Sequence, residues 1–332
     1  MPGPTSILVR CPNWLGDLMM ATTFLRRLLK LYPQARIDLL VKSGLENLPL
    51  PHRGEILGFD KKSQSITQVA QLLSERGYQR IYVLPPSLSA AALAFMARIP
   101  ERYGLTGHFG RGLFLNRKIK NPLPERSRHL AEEYHLLFEG QAGVKPGLPG
   151  LLIPAGWADG LLSGPLNLTP GFIAFAPGAI YGPAKRWPLE YWQELAYRLS
   201  KAGERVIFLG MEGDFTLEAP QAQNLTGQTS LLELVALLSR AKLLVSNDSG
   251  AMHIMAALKK PQVAIFGSTS TLWTSPINPQ ARLVSLHLDC APCFKRECRY
   301  GHYHCLNGIE AEMVLEAVND ALGRPAEPYT AD

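Results

Sequence analysis

The sequence predicts an α/β protein of two doubly wound, Rossmann-like domains, each a parallel sheet covered by helices on both faces. Three observations carry this. Short apolar runs alternate with amphipathic runs of helical spacing in both halves of the chain. A Pro- and Gly-rich stretch with little periodicity, residues 146–171, separates the two series. A chain of 332 residues is long for one core and suits two domains of about 150 residues each.

In the first half, SILVRCP (6–12) reads as a strand and DLMMATTFLRRLLKLY (17–32) as an amphipathic helix. RIDLLVKSG (36–44) is the next strand, SITQVAQLLSERG (65–77) a helix closed by Gly77, and RIYVLPPS (80–87) a strand again. ALAFMARI (92–99) has helical spacing. After the connection come strand FIAFAPG (172–178), helix EYWQELAYRLSKAG (190–203), strand RVIFLG (205–210) and helix SLLELVALLSRA (230–241). KLLVSN (242–247) is a strand, followed by a capped helix, strand QVAIFG (262–267) and a final helix EAEMVLEAVNDAL (310–322) ending at Gly323. The boundary is placed at 160/161, giving domains 1–160 and 161–332, with the last helix able to pack back toward the N-terminal domain. Ligands of such sheets sit at the carboxyl ends of the strands.

Apolar content of 46% and charged content of 19% exclude a disordered chain. The apolar runs are too short and broken for a transmembrane helix. MPGPTSILVR lacks the basic start of a signal peptide, so the expectation is a cytoplasmic protein whose five cysteines are thiols or metal ligands. The net charge of +6 is uneven: residues 1–150 hold 20 Lys+Arg against 11 Asp+Glu, whereas residues 151–332 hold 14 against 17. Eight basic residues fall between Arg98 and Arg128, Arg111, Lys118 and Lys120 among them. That run reads either as a surface for an anionic partner or as a solvated loop.

Three strand-to-helix turns carry chemistry. In PNWLGDLMM (12–20), Gly16-Asp17 opens the first helix. In APGAIYGPAKRWPLEYW (176–192), Gly178 and Gly182 keep the turn open, Lys185 and Arg186 bring positive charge, and Pro188 pre-sets a helix start. In VSNDSGAMHIMAA (245–257), Asp248 or Ser249 caps a helix, Gly250 admits a ligand to the backbone, and His253 follows in the first turn. Small residues and a cation before a helix suit a diphosphate, which the helix N-terminus also favours. No dinucleotide-binding G-x-G-x-x-G follows a strand and no P-loop occurs, which counts against an oxidoreductase or a P-loop NTPase.

PNWLGD, PGAIYGPAKRWP and VSNDSGAMH, in this order and spacing, resemble the ADP-heptose:lipopolysaccharide heptosyltransferases. Residues 83–116 are most similar to the members that add the second heptose. The likeness runs from about Ile7 to Ala321. It implies a glycosyltransferase-B fold, two Rossmann-like domains facing a cleft, the first binding acceptor and the second nucleotide sugar. The implied reaction is an inverting transfer of L-glycero-D-manno-heptose from ADP-heptose to the lipid A-linked inner core of lipopolysaccharide.

Carried over by position, Asp17 matches the family's general base on the acceptor hydroxyl, and Lys185 the lysine that meets the donor diphosphate. Gly178, Asp248, Ser249, Gly250 and His253 fall at donor-binding positions. Glu212, in FLGMEGD (208–214), stands where an acidic ribose contact is expected, with Asp214 as its rival. Arg111, Lys118 and Lys120 lie on the acceptor side, where a phosphorylated acceptor and an anionic membrane surface would attract them. The resemblance thus implies a peripheral protein of the inner membrane's cytoplasmic face that needs no cofactor and binds no nucleic acid.

CAPCFKRECRYGHYHC (290–305) places Cys290, Cys293, Cys298 and Cys305 beside His302 and His304. A C-x2-C pair with further Cys and His can hold zinc, but the remaining spacing matches no standard finger. Reduced thiols without a metal are therefore the expectation. Two rival functions stand beside the main one: the same fold with another nucleotide sugar, and a nucleic-acid-binding protein using the basic first half. The second lacks the aromatic-rich basic strands of single-strand binders.

Overall fold

The computed structural model describes residues 3–107, 110–122, 124–138, 145–162, 168–213 and 220–323. The chain divides into two units, Met1–Leu152 and Ile153–Asp332.

The first unit runs β1 (Ser6–Arg10), α1 (Leu15–Leu31), β2 (Arg36–Lys42), β3 (Ile56–Phe59), α2 (Ile66–Glu75), β4 (Arg80–Val83), α3 (Leu88–Met96), β5 (Glu101–Thr106), β6 (Arg117–Lys120) and α4 (Leu130–His135). Its six strands are parallel in the order β3-β2-β1-β4-β5-β6. Ile7, Leu8 and Val9 of central β1 have no solvent exposure, as expected of a strand covered on both faces. One core layer joins Leu8, Leu40 and Ile81 to Val69 and Leu73 of α2 and to Leu93 of α3. Helix α2 opens on a capping box between Ser65 and Gln68.

The second unit runs α5 (Trp157–Leu162), β7 (Ile173–Ala176), α6 (Leu189–Lys201), β8 (Val206–Phe208), β9 (Gln223–Asn224), α7 (Leu231–Arg240), β10 (Leu243–Asn247), α8 (Gly250–Ala257), β11 (Gln262–Phe266), α9 (Thr271–Thr274), β12 (Ala281–Ser285), α10 (His304–Asn307) and α11 (Ala311–Ala321). Its parallel sheet has the order β12-β11-β10-β7-β8-β9. Trp192 and Leu195 of α6 and Val314 and Val318 of α11 share one buried cluster with Phe175, Phe208 and Leu306. The last helix is thus part of this unit's own core.

Each sheet reverses direction of winding once, between β1 and β4 in the first unit and between β7 and β10 in the second. Adjacent crossovers leave on opposite faces there, which opens a crevice at the strands' carboxyl ends. The division between units falls before the expected 160/161, because α5 packs on α7 and Asp159 pairs with Arg240. The run from 98 to 128 is not a solvated loop: it contains β5, a 3-10 turn at Arg111–Leu113, and β6.

Candidate active site

In the second unit the crevice is built by three turns leaving β7, β10 and β11. Strand β10 is buried along its whole length and ends in Asn247, whose side chain joins two turns across the switch point. Asn247 Nδ2 donates to the Pro177 carbonyl at 2.6 Å, and the Trp187 amide donates to Asn247 Oδ1 at 3.2 Å. The segment 177–187 is thereby tied at both ends. Between those ties Gly182 has φ +147° and lies so close to Arg296 that a Cβ would sit 2.6 Å from its carbonyl oxygen. Only glycine fits there.

Lys185 closes a 3-10 turn, Pro183–Lys185. Its ammonium lies 2.6 Å from Asp248 Oδ2 and 4.9 Å from the Tyr181 ring centroid. Asp248 is 4% exposed, and its Oδ2 also accepts from Thr269 Oγ1 at 2.6 Å and from Thr274 Oγ1 at 3.3 Å. A buried carboxylate left without such partners would be strongly destabilising, so the pair and its hydroxyls form one unit. The next residue, Ser249, is the N-cap of α8 by backbone conformation but makes no side-chain cap. Its buried Oγ has no hydrogen-bond partner among the described residues. Gly250 is the first residue of α8, and His253 is buried in its first turn. A cation, an uncommitted hydroxyl and free helix N–H groups at one sheet end are the equipment of an anion site.

The other expected donor residues fall on the same sheet edge. Gly178 directly follows β7, and Glu212 lies exposed on the turn after β8, packed against Gly227. Asp214 lies outside the described residues. Asn247, Thr269 and Thr274 join the site without being singled out by the sequence reading. The last two belong to FGSTSTLWT, a third strand–glycine–hydroxyl turn whose signal is there in retrospect.

In the first unit, Asp17 occupies the third position of α1, and the N-cap is Trp14, which makes no side-chain cap. The helix thus opens two residues before Asp17, which is an acid in its first turn. Its charge, after burial, holds the Tyr134 phenol protonated. The turn before α1 is set by Arg10, which is buried and donates to the carbonyls of Cys11 and Leu40 and, at 2.5 Å, to Asn13 Oδ1. Burial without an acidic partner lowers this guanidinium to about 10.

Arg111 is a correction. It has no solvent exposure, and its guanidinium donates to the carbonyls of Val83, at 2.8 Å, and Pro85, fastening the 3-10 turn to the carboxyl end of β4. It cannot contact a membrane surface. Lys118 and Lys120 are exposed on edge strand β6. No helix among the described residues is long and apolar enough to cross a membrane.

All five cysteines are free thiols. Cys11 is a buried core residue whose thiol is pushed up to about 12 by burial. Backbone amides of Tyr300, Gly301, His302 and Tyr303 face the Cys298 thiol, the Tyr303 amide most strongly, and lower it. Burial, followed by the neighbouring thiols, raises Cys305 to about 11. Among the described residues no group of three or more His, Cys, Asp or Glu side chains is arranged as it stands to hold a metal ion.

The family profile for glycosyltransferase family 9 (heptosyltransferase) matches residues 66–304. Lipopolysaccharide heptosyltransferase 2 of Escherichia coli K12 is 32% identical over 347 residues, covering 95% of this chain and 98% of the relative. Lipooligosaccharide heptosyltransferase 2 of Haemophilus influenzae is 32% identical, covering 96% and 100%. The solved structure of E. coli ADP-heptose lipopolysaccharide heptosyltransferase II matches with TM-score 0.82 at 31% identity, over 96% of this chain and 98% of that one. A family 9 glycosyl transferase from Veillonella parvula matches with TM-score 0.79 at 26% identity, over 96% and 97%. This chain, with its two Rossmann-like units of the glycosyltransferase-B type, belongs to glycosyltransferase family 9, the heptosyltransferases.

Proposed function

We propose that the protein transfers L-glycero-D-manno-heptose from ADP-heptose to the lipid A-linked inner core of lipopolysaccharide, adding the second heptose with inversion. The observation that carries this reading is the Lys185–Asp248 pair beside the uncommitted Ser249 hydroxyl and the N-terminus of α8. As the sugar–phosphate bond breaks, negative charge grows on the leaving ADP, and these groups oppose it most in the transition state. Gly178 and Gly250 let the diphosphate approach the backbone, His253 supports the first turn of α8, and Glu212 contacts the ribose. Asp17 takes the acceptor hydroxyl's proton as general base. The transfer itself uses no cofactor.

Lys118 and Lys120 serve a second, electrostatic role. A phosphorylated, membrane-bound acceptor attracts an exposed basic strand at about 1 kcal/mol per residue near the surface. The protein would act as a peripheral protein at the cytoplasmic face of the inner membrane. Turnover measured across ADP-, GDP- and UDP-sugars with defined core acceptors tests the reading. Use of a GDP- or UDP-sugar in place of ADP-heptose would replace it with a related transferase.

A further inference from the structure

Four of the five cysteines do something that their spacing alone did not disclose: they line one small cavity. Cys290, Cys293, Cys298 and Cys305 surround about 20 Å³, with Ala184 and Ser268 on the wall. That is room for one water-sized sphere. The segment that supplies them has no core of its own. From Ala291 to His304 no residue is buried, and no strand or helix forms before α10. Yet its backbone is a fixed wall of the candidate active site. The Ala184 amide donates to the Arg296 carbonyl at 3.0 Å, and the Tyr181 hydroxyl to the Phe294 carbonyl at 2.6 Å. The amides of Cys293 and Phe294 both donate to the Ser268 carbonyl, at 3.0 and 2.7 Å. Its apolar packing is slight, Ala291 on the core and Phe294 edge-on to Trp273, so a further staple would help hold such a position.

We propose that Cys290, Cys293, Cys298 and Cys305 hold one tetrahedral, thiol-seeking cation, zinc or iron, in the cavity they line, and that this centre fixes the loop carrying Lys185. An all-sulfur donor set selects these metals over the hard cations that prefer oxygen. The four cysteines line the space together with His302, but no three of these side chains are arranged as they stand to hold an ion. The ion completes the shell, because metal binding is coupled to the ordering of its ligands. Each ligand sulfur loses its proton to solvent as the metal–sulfur bond forms, and a divalent ion enters without electron transfer. Arg299, which also lines the cavity, offsets the resulting negative charge.

The proposal does not depend on which nucleotide sugar is used, and its test reads metal first. Full-length protein purified without chelator is analysed for zinc and iron by mass spectrometry and for reactive thiols by titration. About one metal per chain is expected in the parent and in Cys11→Ser, and roughly a tenth of that or less in Cys293→Ser/Cys298→Ser. Cobalt(II) added to chelated, folded parent should give thiolate-to-metal charge-transfer bands that the double variant lacks. Chelation should weaken ADP binding roughly tenfold, with recovery on adding metal back. Folded parent that takes up no zinc, iron or cobalt overturns the proposal, as does metal retained by the double variant. ADP binding indifferent to loss of the metal overturns the link to Lys185.

Discussion

Lys185 Nζ lies 2.6 Å from Asp248 Oδ2, and Thr269 and Thr274 donate to that same oxygen. Asp248 therefore acts through Lys185, holding its ammonium at the carboxyl end of the sheet. Lys185→Ala should lower turnover with donor by roughly 10²–10³ and weaken ADP binding as well. Asp248→Asn should weaken both more mildly. The double variant should be little worse than Lys185→Ala alone, because residues of one network are not additive. Steady-state kinetics with ADP titrations on the three variants check this; fully additive losses would separate the two roles.

Asp17 sits in the first turn of α1, beyond a turn fastened by Arg10. Asp17→Asn should leave unfolding and ADP binding nearly unchanged while cutting turnover by about 10²–10⁴. Turnover like the parent's would remove Asp17 from the role of base.

The basic run splits into buried and exposed parts, and the two should behave differently. Arg111→Met strands two carbonyls in the fold and should cost about 3 kcal/mol in chemical denaturation. Lys118→Glu/Lys120→Glu should leave stability within about 0.5 kcal/mol. It should lower activity on acceptor-bearing anionic vesicles, more so at low salt. Equal vesicle activity in variant and parent would leave β6 as an ordinary solvated edge.

His135 is buried against Thr23, and burial, with a smaller contribution from Arg27, lowers it to about 4. Its folded value is depressed relative to an unfolded value near 6.5, so the unfolded chain binds the extra proton first. The stability from neutral His135 is full above pH ~6.5 and is lost as pH falls toward 4, roughly 3 kcal/mol in all. His135→Gln should flatten that part of the stability–pH curve, read by denaturant melts from pH 7 to pH 4.5. A curve parallel to the parent's would assign the acid sensitivity elsewhere.

The central strands and the long helices were legible because burial on both faces leaves unbroken apolar runs such as ILV at 7–9 and LLV at 243–245. The outer strands β5 and β6 were not. ERYGLT and RKIK present charge and glycine where alternation was sought, and their pairing is decided by neighbours distant in sequence. The turns after β7 and β10 are legible as turns, since Gly, Asp and Ser at a strand's end have few other uses. What the pattern could not supply was direction. Arg111 looks the same in sequence whether its guanidinium meets water or the carbonyls of Val83 and Pro85. Likewise, Asp248 looks like a cap until its carboxylate is found turned toward Lys185.

The most direct test of the central claim is product analysis with labelled ADP-heptose and an inner-core acceptor carrying one heptose. Transfer of a single labelled heptose is expected, with inverted anomeric configuration and stoichiometric release of ADP. Retained configuration, or no transfer from ADP-heptose under conditions where another nucleotide sugar is turned over, would contradict it.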